Sequence, residues 1–158
     1  MANGQPIIST SPDNTFEIGT KLGGQLRGGE IVLLTGGLGA GKTLFTKGIL
    51  AGVGYDPDEV TSPSFALVNL YKTERFDVYH IDLWRTNSVD DITFSIGLPE
   101  ILQDETAVVI VEWAERLGAF EFESAVYRVD IGGDGDDPRS IEIIQSEQTA
   151  GAHYIPGL

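Results

Sequence analysis

The sequence predicts one α/β domain of three layers, with a mostly parallel central sheet between helices and antiparallel hairpin strands extending it. Three observations predict it. The apolar run Ile31-Val32-Leu33-Leu34-Thr35 reads as a parallel strand buried on both faces. It leads through a glycine-rich stretch into Leu44, Phe45, Ile49, Leu50 and Val53, spaced for one side of a helix. A second such run, Ala107-Val108-Val109-Ile110-Val111, ends in Glu112-Trp113. Two pairs of alternating segments, 65–71 with 76–83 and 125–131 with 140–144, read as hairpins.

The chain has 158 residues, enough for a single domain with its own core, and no repeat or composition shift divides it. The ordered core is expected over about residues 7–145, and the tail 146–158, which has no periodicity, is expected to be loose. Met1 to Pro6 is polar and lacks a signal-peptide pattern. Thr10 or Ser11 followed by Pro12 is a helix start, a capping hydroxyl and then a proline in the first turn. Phe16, Ile18, Leu22 and Leu26 give that helix one apolar side, and Gly28-Gly29 ends it. Leu22-Gly23-Gly24-Gln25 echoes the signature of transporter ATPases, which belongs after a phosphate loop rather than before one, and it is discounted.

Residues 36–43 read Gly-Gly-Leu-Gly-Ala-Gly-Lys-Thr, the pattern G-x-x-x-x-G-K-[ST] of a phosphate-binding loop. Strand, loop and helix follow in the order that a P-loop NTPase-like domain requires. The backbone N–H groups of Gly37, Leu38, Gly39, Ala40 and Gly41 are placed to surround phosphate oxygens. Lys42 supplies a mobile charge for the β- and γ-phosphates, and the Thr43 hydroxyl is a Mg²⁺ ligand. The positive end of the following helix adds to the field. The cofactors expected are therefore ATP and Mg²⁺. A GTPase would carry Asn-Lys-x-Asp for guanine, and this chain does not.

Gly52 to Glu59 is a polar connection, and Thr61-Ser62-Pro63-Ser64-Phe65 sets small hydroxyls around a proline. Such a stretch is a structural turn or a ligand for phosphate, water or Mg²⁺. In the strand 76–83, Val78, His80 and Asp82 share one face. An acid ending an apolar strand is where an α/β nucleotide protein places a metal or water ligand. That description fits Asp82 and also Glu112, and the more apolar strand favours Glu112. His80 reads as a packed, hydrogen-bonded histidine rather than a catalyst, and Trp113 as core or site wall. Residues 87–103 read as short helices carried by Val89, Ile92, Ile96, Leu98, Ile101 and Leu102. The acidic turn 132–138 lacks the distal Glu of an EF-hand and reads as solvated.

Twenty-four acidic against ten basic residues give a formal charge of −14. A surface of that sign repels phosphate backbones, so the isolated domain is expected to grip nucleic acid poorly. The acids serve either solubility or a basic partner. With no cysteine, disulfides and thiolate metal sites are excluded, which fits a cytoplasmic protein. No apolar run is long enough to span a membrane.

Taken together, the loop at 36–43, Thr-Ser-Pro-Ser-Phe at 61–65, His-x-Asp-Leu-x-Arg at 80–85 and Val-Glu-Trp-Ala-Glu-Arg at 111–116 resemble the TsaE (YjeE) family. These are small bacterial ATPases of tRNA threonylcarbamoyladenosine (t6A) modification. The resemblance covers roughly residues 10 to 145. It implies a subunit of low intrinsic activity that binds and hydrolyses ATP. That subunit works with a two-subunit transferase, of TsaB/TsaD type, which modifies A37 of tRNAs reading ANN codons. The ATPase does not perform the transfer, meets tRNA only through the complex, and permits multiple turnovers by resetting it. By the same resemblance, Thr43 and Glu112 hold Mg²⁺, and Asp82, Glu112 and Trp113 serve catalysis. Thr61 to Phe65 forms a first switch loop, Asp82 lies in a second switch-like element, and Thr10, Ser11 and Pro12 approach the base. Two positions depart from the family pattern: Gly37 stands where Asp is usual, and Trp84 where Tyr is usual. A small-molecule P-loop kinase is the alternative, with Arg85 and Arg116 available as lid arginines. A nucleotide-gated binding module with negligible hydrolysis is a third reading.

Overall fold

The computed structural model of the chain describes residues 5–63, 68–84, 97–118, 120–146 and 153–154. The apolar run of the sequence becomes β2 (Ile31–Gly36), at the centre of a seven-stranded sheet. It lies parallel to β5 (Val108–Glu112) on one side and to β7 (Val126–Gly132) on the other. Beyond β5, β4 (Asp77–Asp82) is also parallel, and β3 (Val68–Lys72) closes that edge antiparallel. Beyond β7, β8 (Arg139–Ser146) runs antiparallel and carries β1 (Ile7–Ser9) on its outer edge. The order β1-β8-β7-β2-β5-β4-β3 is the parallel centre with antiparallel margins that the hairpin patterns predict.

Both faces of the centre are covered, which is why its strands read as unbroken apolar runs. Val32, Leu34, Val108, Ile110, Val129 and Ile131 face a core shared with α1 (Pro12–Gln25) and α2 (Lys42–Val53). Ile31, Leu33, Ile81, Val109 and Val111 face a second core, built with Leu98, Ile101, Ala114 and Leu117. The first of these pairs comes from the short helix Leu98–Leu102, the second from the 3-10 turn Ala114–Leu117. These are the three expected layers.

Of the two candidate caps, Ser11 starts α1: its hydroxyl accepts from the Asn14 N–H at 3.0 Å, with Pro12 in the first turn. Ile18, Leu22 and Leu26 are buried as expected, and Phe16 is only half-buried. The two helices pack backbone to backbone. A Cβ built on Gly23 would lie 2.1 Å from the Ile49 carbonyl oxygen, and one on Gly48 would lie 2.3 Å from that of Phe16. Gly23, noticed in sequence for its place in Leu-Gly-Gly-Gln, is therefore a packing residue.

Three elements carry too little pattern to be anticipated. β1 has three residues and owes its form to the edge of β8, where Ile7 pairs with Ile141. β6 (Phe120–Glu121) and β9 (His153–Tyr154) form a separate two-stranded sheet, so two residues of the tail have regular structure. Of the helices expected over 87–103, Leu98–Leu102 is described. The expected strand residues 65–67 and the helical residues up to 96 lie outside the described residues. Among the described residues no helix is long and apolar enough to cross a membrane.

Candidate nucleotide site

The site lies at the C-terminal ends of β2, β4 and β5, where open parallel sheets place their ligands. The chain leaves β2 through Gly36, whose added Cβ would lie 2.5 Å from the Ile131 carbonyl oxygen, so no side chain fits there. It turns through Gly39 (φ 76°) and Gly41 (φ 112°), both in the left-handed region that glycine supplies at little cost. A Cβ at Gly37 meets nothing within 4 Å, so an Asp there would change charge rather than packing. Gly41 caps α2 without a side-chain hydrogen bond, and the first turn of α2 contains no acid. The free N–H groups and positive end of this helix thus point at the mouth of the loop.

Lys42, 5% exposed, folds back over the loop. Its Nζ donates to the carbonyl oxygens of Gly36 and Gly37, both at 2.7 Å, and stands 3.9 Å from the centroid of the Trp113 ring. Burial lowers the pKa of the ammonium, while the carboxylates of Glu115, Glu112 and Asp82 pull it upward.

Glu112, 2% exposed, is the last residue of β5. Its Oε1 accepts from Thr43 Oγ1 at 2.8 Å, and its Oε2 from Thr46 Oγ1 at 3.3 Å. Nε2 of the fully buried His80 completes the set on Oε2. Asp82 is the Cα partner of Glu112 on the adjacent parallel strand, so the two acids stand side by side. Asp82 accepts from the Trp84 N–H at 2.9 Å. Burial raises the pKa of its carboxyl, and that hydrogen bond opposes the shift.

Trp113 is the only non-glycine residue with positive φ among the described residues, at 58°. A left-handed tryptophan costs on the order of 1–3 kcal/mol, a strain that collects at working sites. The turn lays the half-buried indole over Lys42 and against Trp84, with ring centroids 4.5 Å apart. Trp113 both packs against the second core and lines the loop-side cavity, so each of its two readings has a place in the structure. Arg116 covers the pair, 5.5 Å from the Trp113 centroid and 5.4 Å from that of Trp84.

Two cavities flank the loop. One, of about 300 Å³, is lined by Lys42, Thr43, Asp82, Trp84, Glu112 and Trp113, with Leu38 at its rim. The other, of about 260 Å³, is lined by Thr10, Ser11, Pro12, Asp136, Asp137 and Arg139. Gly39 and Gly41 border both, and Ala40 the second. The fold therefore gathers the expected residues at one loop, except that Gly37 lines neither cavity. Thr61, Ser62 and Pro63 also line neither, and Ser64, Phe65 and Arg85 lie outside the described residues.

Sequence reasoning missed five participating residues. Arg139 of β8 donates to the carbonyl oxygens of Ala40 at 3.0 Å, Gly39 at 3.3 Å and Gly135 at 3.0 Å, which ties the phosphate loop to the β7–β8 turn. Nothing in local pattern pairs positions so far apart in the chain. Thr46 was findable, because it lies one turn beyond Thr43 on the same helix face. The turn 132–138, read as solvated, is exposed and also supplies Asp136 and Asp137 to the second cavity. Glu115 is half-buried, its Oε2 has no partner, and burial raises its pKa.

That raised pKa has a sign that can be tested. Above its folded-state pKa, charged Glu115 weighs against the folded state. The cost is relieved as pH falls from there toward the unfolded value. Thermal unfolding of wild type and Glu115→Gln between about pH 8 and pH 5 should show wild type gaining on the variant as pH falls. A constant difference would contradict the burial account.

Thr43 Oγ1 and Glu112 Oε1 are oxygen donors of the class Mg²⁺ takes, and their 2.8 Å separation matches adjacent octahedral positions, about 2.9 Å apart for 2.0–2.1 Å bonds. Among the described residues there is no cluster of three or more His, Cys, Asp or Glu able to hold a metal alone. A Mg²⁺ here would complete its shell with phosphate oxygens and water, its usual habit in nucleotide sites.

The chain is similar to known proteins in sequence and in fold. Residues 9–141 match the family model described as threonylcarbamoyl adenosine biosynthesis protein TsaE. A relative from Treponema pallidum, named a tRNA threonylcarbamoyladenosine biosynthesis protein, is 40% identical over 112 residues, 71% of this chain and 80% of that protein. Its namesake from Aquifex aeolicus is 36% identical over 111 residues, 70% and 77% of the two chains. The crystal structure of Bacillus subtilis YdiB superposes with a TM-score of 0.61 at 28% identity, covering 89% of this chain and 84% of the other.

Proposed function

The chain belongs to the TsaE family of threonylcarbamoyladenosine biosynthesis proteins, and from that premise we propose that it binds and hydrolyses ATP in support of t6A modification of tRNA. It does not transfer the threonylcarbamoyl group. It acts in the cytoplasm on a two-subunit transferase of TsaB/TsaD type, meets tRNA only through that complex, and lets the complex turn over repeatedly. The observation that carries the reading is the Thr43–Glu112 oxygen pair at the mouth of a glycine loop that also holds Lys42.

Each residue then has a role. The backbone from Gly37 to Gly41 and the first turn of α2 surround the phosphates. Lys42 exchanges the Gly36 and Gly37 carbonyls for β- and γ-phosphate oxygens. Thr43 and Glu112 hold Mg²⁺, which neutralises charge developing on the transferred phosphoryl group. Asp82, beside Glu112, orients the reacting end. Trp113 walls the cavity and covers one side of the Lys42 ammonium. Thr10, Ser11 and Pro12 line the cavity on the far side of the loop, where the base and sugar lie.

The two acids separate by experiment. Glu112→Gln should weaken the Mg²⁺ dependence of ATP binding in calorimetric titrations. Asp82→Ala should bind Mg·ATP with near wild-type affinity and hydrolyse it poorly. If Asp82→Ala loses Mg²⁺-dependent binding and Glu112→Gln keeps it, the roles are exchanged. The small-molecule kinase reading keeps one observation in its favour, Arg116 poised over the tryptophan pair beside the cavity. Stoichiometric phosphorylation of an added metabolite would establish it.

A further inference from the structure

We propose that His80 is a positioning residue that holds the Glu112 carboxylate toward Thr43 and, through Tyr71 and Asn69, ties it to the Thr61 segment. The inference rests on the nucleotide reading and adds to it a physical link between the metal-side acid and a loop that lines neither cavity.

Glu112 Oε2 takes contacts from both sides. Thr46 reaches it from α2, and His80 reaches it from β4. His80 has no exposed surface, and its Nδ1 meets no partner. Two described contacts bear on the imidazole's orientation: Nε2 on Glu112, and the near-parallel ring of Tyr71, with centroids 6.4 Å apart and planes 29° apart. Moving the carboxylate therefore moves the ring, because close-packed neighbours leave it no slack.

The other end of the link is equally defined. Asn69 is the Cα partner of His80 across the β3–β4 pair, and Tyr71 follows two residues later on the same face. Both converge on one residue. The Tyr71 hydroxyl donates to the Thr61 carbonyl oxygen at 3.0 Å and accepts from the Thr61 N–H at 3.2 Å. The Asn69 side-chain amide donates to the same carbonyl oxygen at 3.0 Å and to the Tyr71 hydroxyl at 3.2 Å. Tyr71 is itself buried, with Tyr55 edge-on at 5.0 Å. The chain of contact thus runs from Thr43 through Glu112, His80 and Tyr71 to Thr61. Ligand-driven order in a neighbouring segment is how nucleotide proteins report phosphate occupancy to partners. A continuous contact chain becomes coupling only when both ends are shown to respond together.

A histidine that merely filled the core would affect stability and nothing else. Two readouts separate the cases: the ratio of ATP affinities with and without Mg²⁺, and hydrogen exchange of the Thr61 amide with and without Mg·ATP. His80→Ala should cut the Mg²⁺ enhancement about tenfold, as loss of an outer-shell partner does. It should leave Mg²⁺-free affinity nearly unchanged, and His80→Gln, whose amide nitrogen can reach Glu112, should recover much of the loss. Tyr71→Phe removes one hydroxyl and keeps the ring. It should still bind Mg·ATP while losing the nucleotide-dependent change in Thr61 exchange that wild type shows. Should His80→Ala fail to fold, His80→Gln and Tyr71→Phe still decide the matter. Wild type that binds Mg·ATP, with the Thr61 response intact in Tyr71→Phe or the Mg²⁺ enhancement intact in a folded His80→Ala, overturns the link alone. Wild type that binds no ATP overturns the nucleotide reading and the link with it.

Discussion

Lys42→Ala is expected to lower ATP affinity roughly ten- to hundredfold while the domain stays folded. Among the described residues, the ammonium is the only cation that lines the loop-side cavity with Thr43 and Glu112. Its two hydrogen bonds to Gly36 and Gly37 are made to carbonyl oxygens, which on the proposed reading phosphate oxygens would replace with charge-assisted bonds. Removing one such bond costs on the order of 1.5–3 kcal/mol, which sets the fold-change. The fold is expected to survive because Phe45, Ile49 and Leu50 hold α2 on the sheet through the shared core, whatever becomes of the Lys42–Trp113 contact. Thr43→Ala should lose affinity chiefly in the presence of Mg²⁺. Calorimetric titration checks both, and wild-type affinity in Lys42→Ala would refute the phosphate assignment.

The second large effect is structural. Gly23→Ala should destabilise the domain by about 3 kcal/mol or more, at the upper end of overpacking costs. The new methyl would lie 2.1 Å from the Ile49 carbonyl oxygen and 2.9 Å from its carbon, and both are backbone atoms of α2. Relief requires the helices to part, which opens a core containing the fully buried Leu22, Phe45 and Ile49. For a chain of this size the loss corresponds to a fall in Tm of roughly 6–12 °C. Its neighbour is the control. A methyl on Gly24 meets nothing within 4 Å, so Gly24→Ala should gain about 0.5–1 kcal/mol from helix propensity alone. Thermal unfolding of the two variants decides. Equal midpoints would mean that the close approach of α1 and α2 is not what Gly23 provides.

The contrast between these glycines shows what was legible in the chain. The β2–loop–α2 unit could be read because three independent patterns coincide there: a fully apolar strand, glycines at fixed spacing, and a helical apolar period. Glu112 could be read for the same reason, as an acid closing an apolar run. His80 was read as a packed, hydrogen-bonded histidine, and it is buried on Glu112, although its partner could not be named. The function of Gly23 was hidden, because a glycine needed for space and one needed for nothing look alike until the facing helix is placed. Arg139 was hidden because its loop partners Gly39 and Ala40 are joined to it only by the β7–β8 return. β1 was hidden because three residues cannot show an alternation, and a neighbouring edge rather than a pattern makes them a strand. The left-handed turn of Trp113 has no signature at all, since its cost is met by what the ring then covers.

The acidic balance of the chain bears on the proposed role. Tight tRNA binding needs several phosphates neutralised by Lys or Arg, and only ten such residues stand against twenty-four acids. On the proposed reading, a phosphate-binding loop on a domain ill-suited to grip tRNA would be of use when docked on an enzyme that does grip it. The measurement that bears most directly on this is t6A formation in a mixture of the cognate transferase subunits, tRNA, threonylcarbamoyl-adenylate and ATP, with and without this protein. Wild type should sustain many rounds per complex, and its omission or replacement by Lys42→Ala should stop the reaction after a single round. Sustained turnover without the protein, or with Lys42→Ala in its place, would contradict the account.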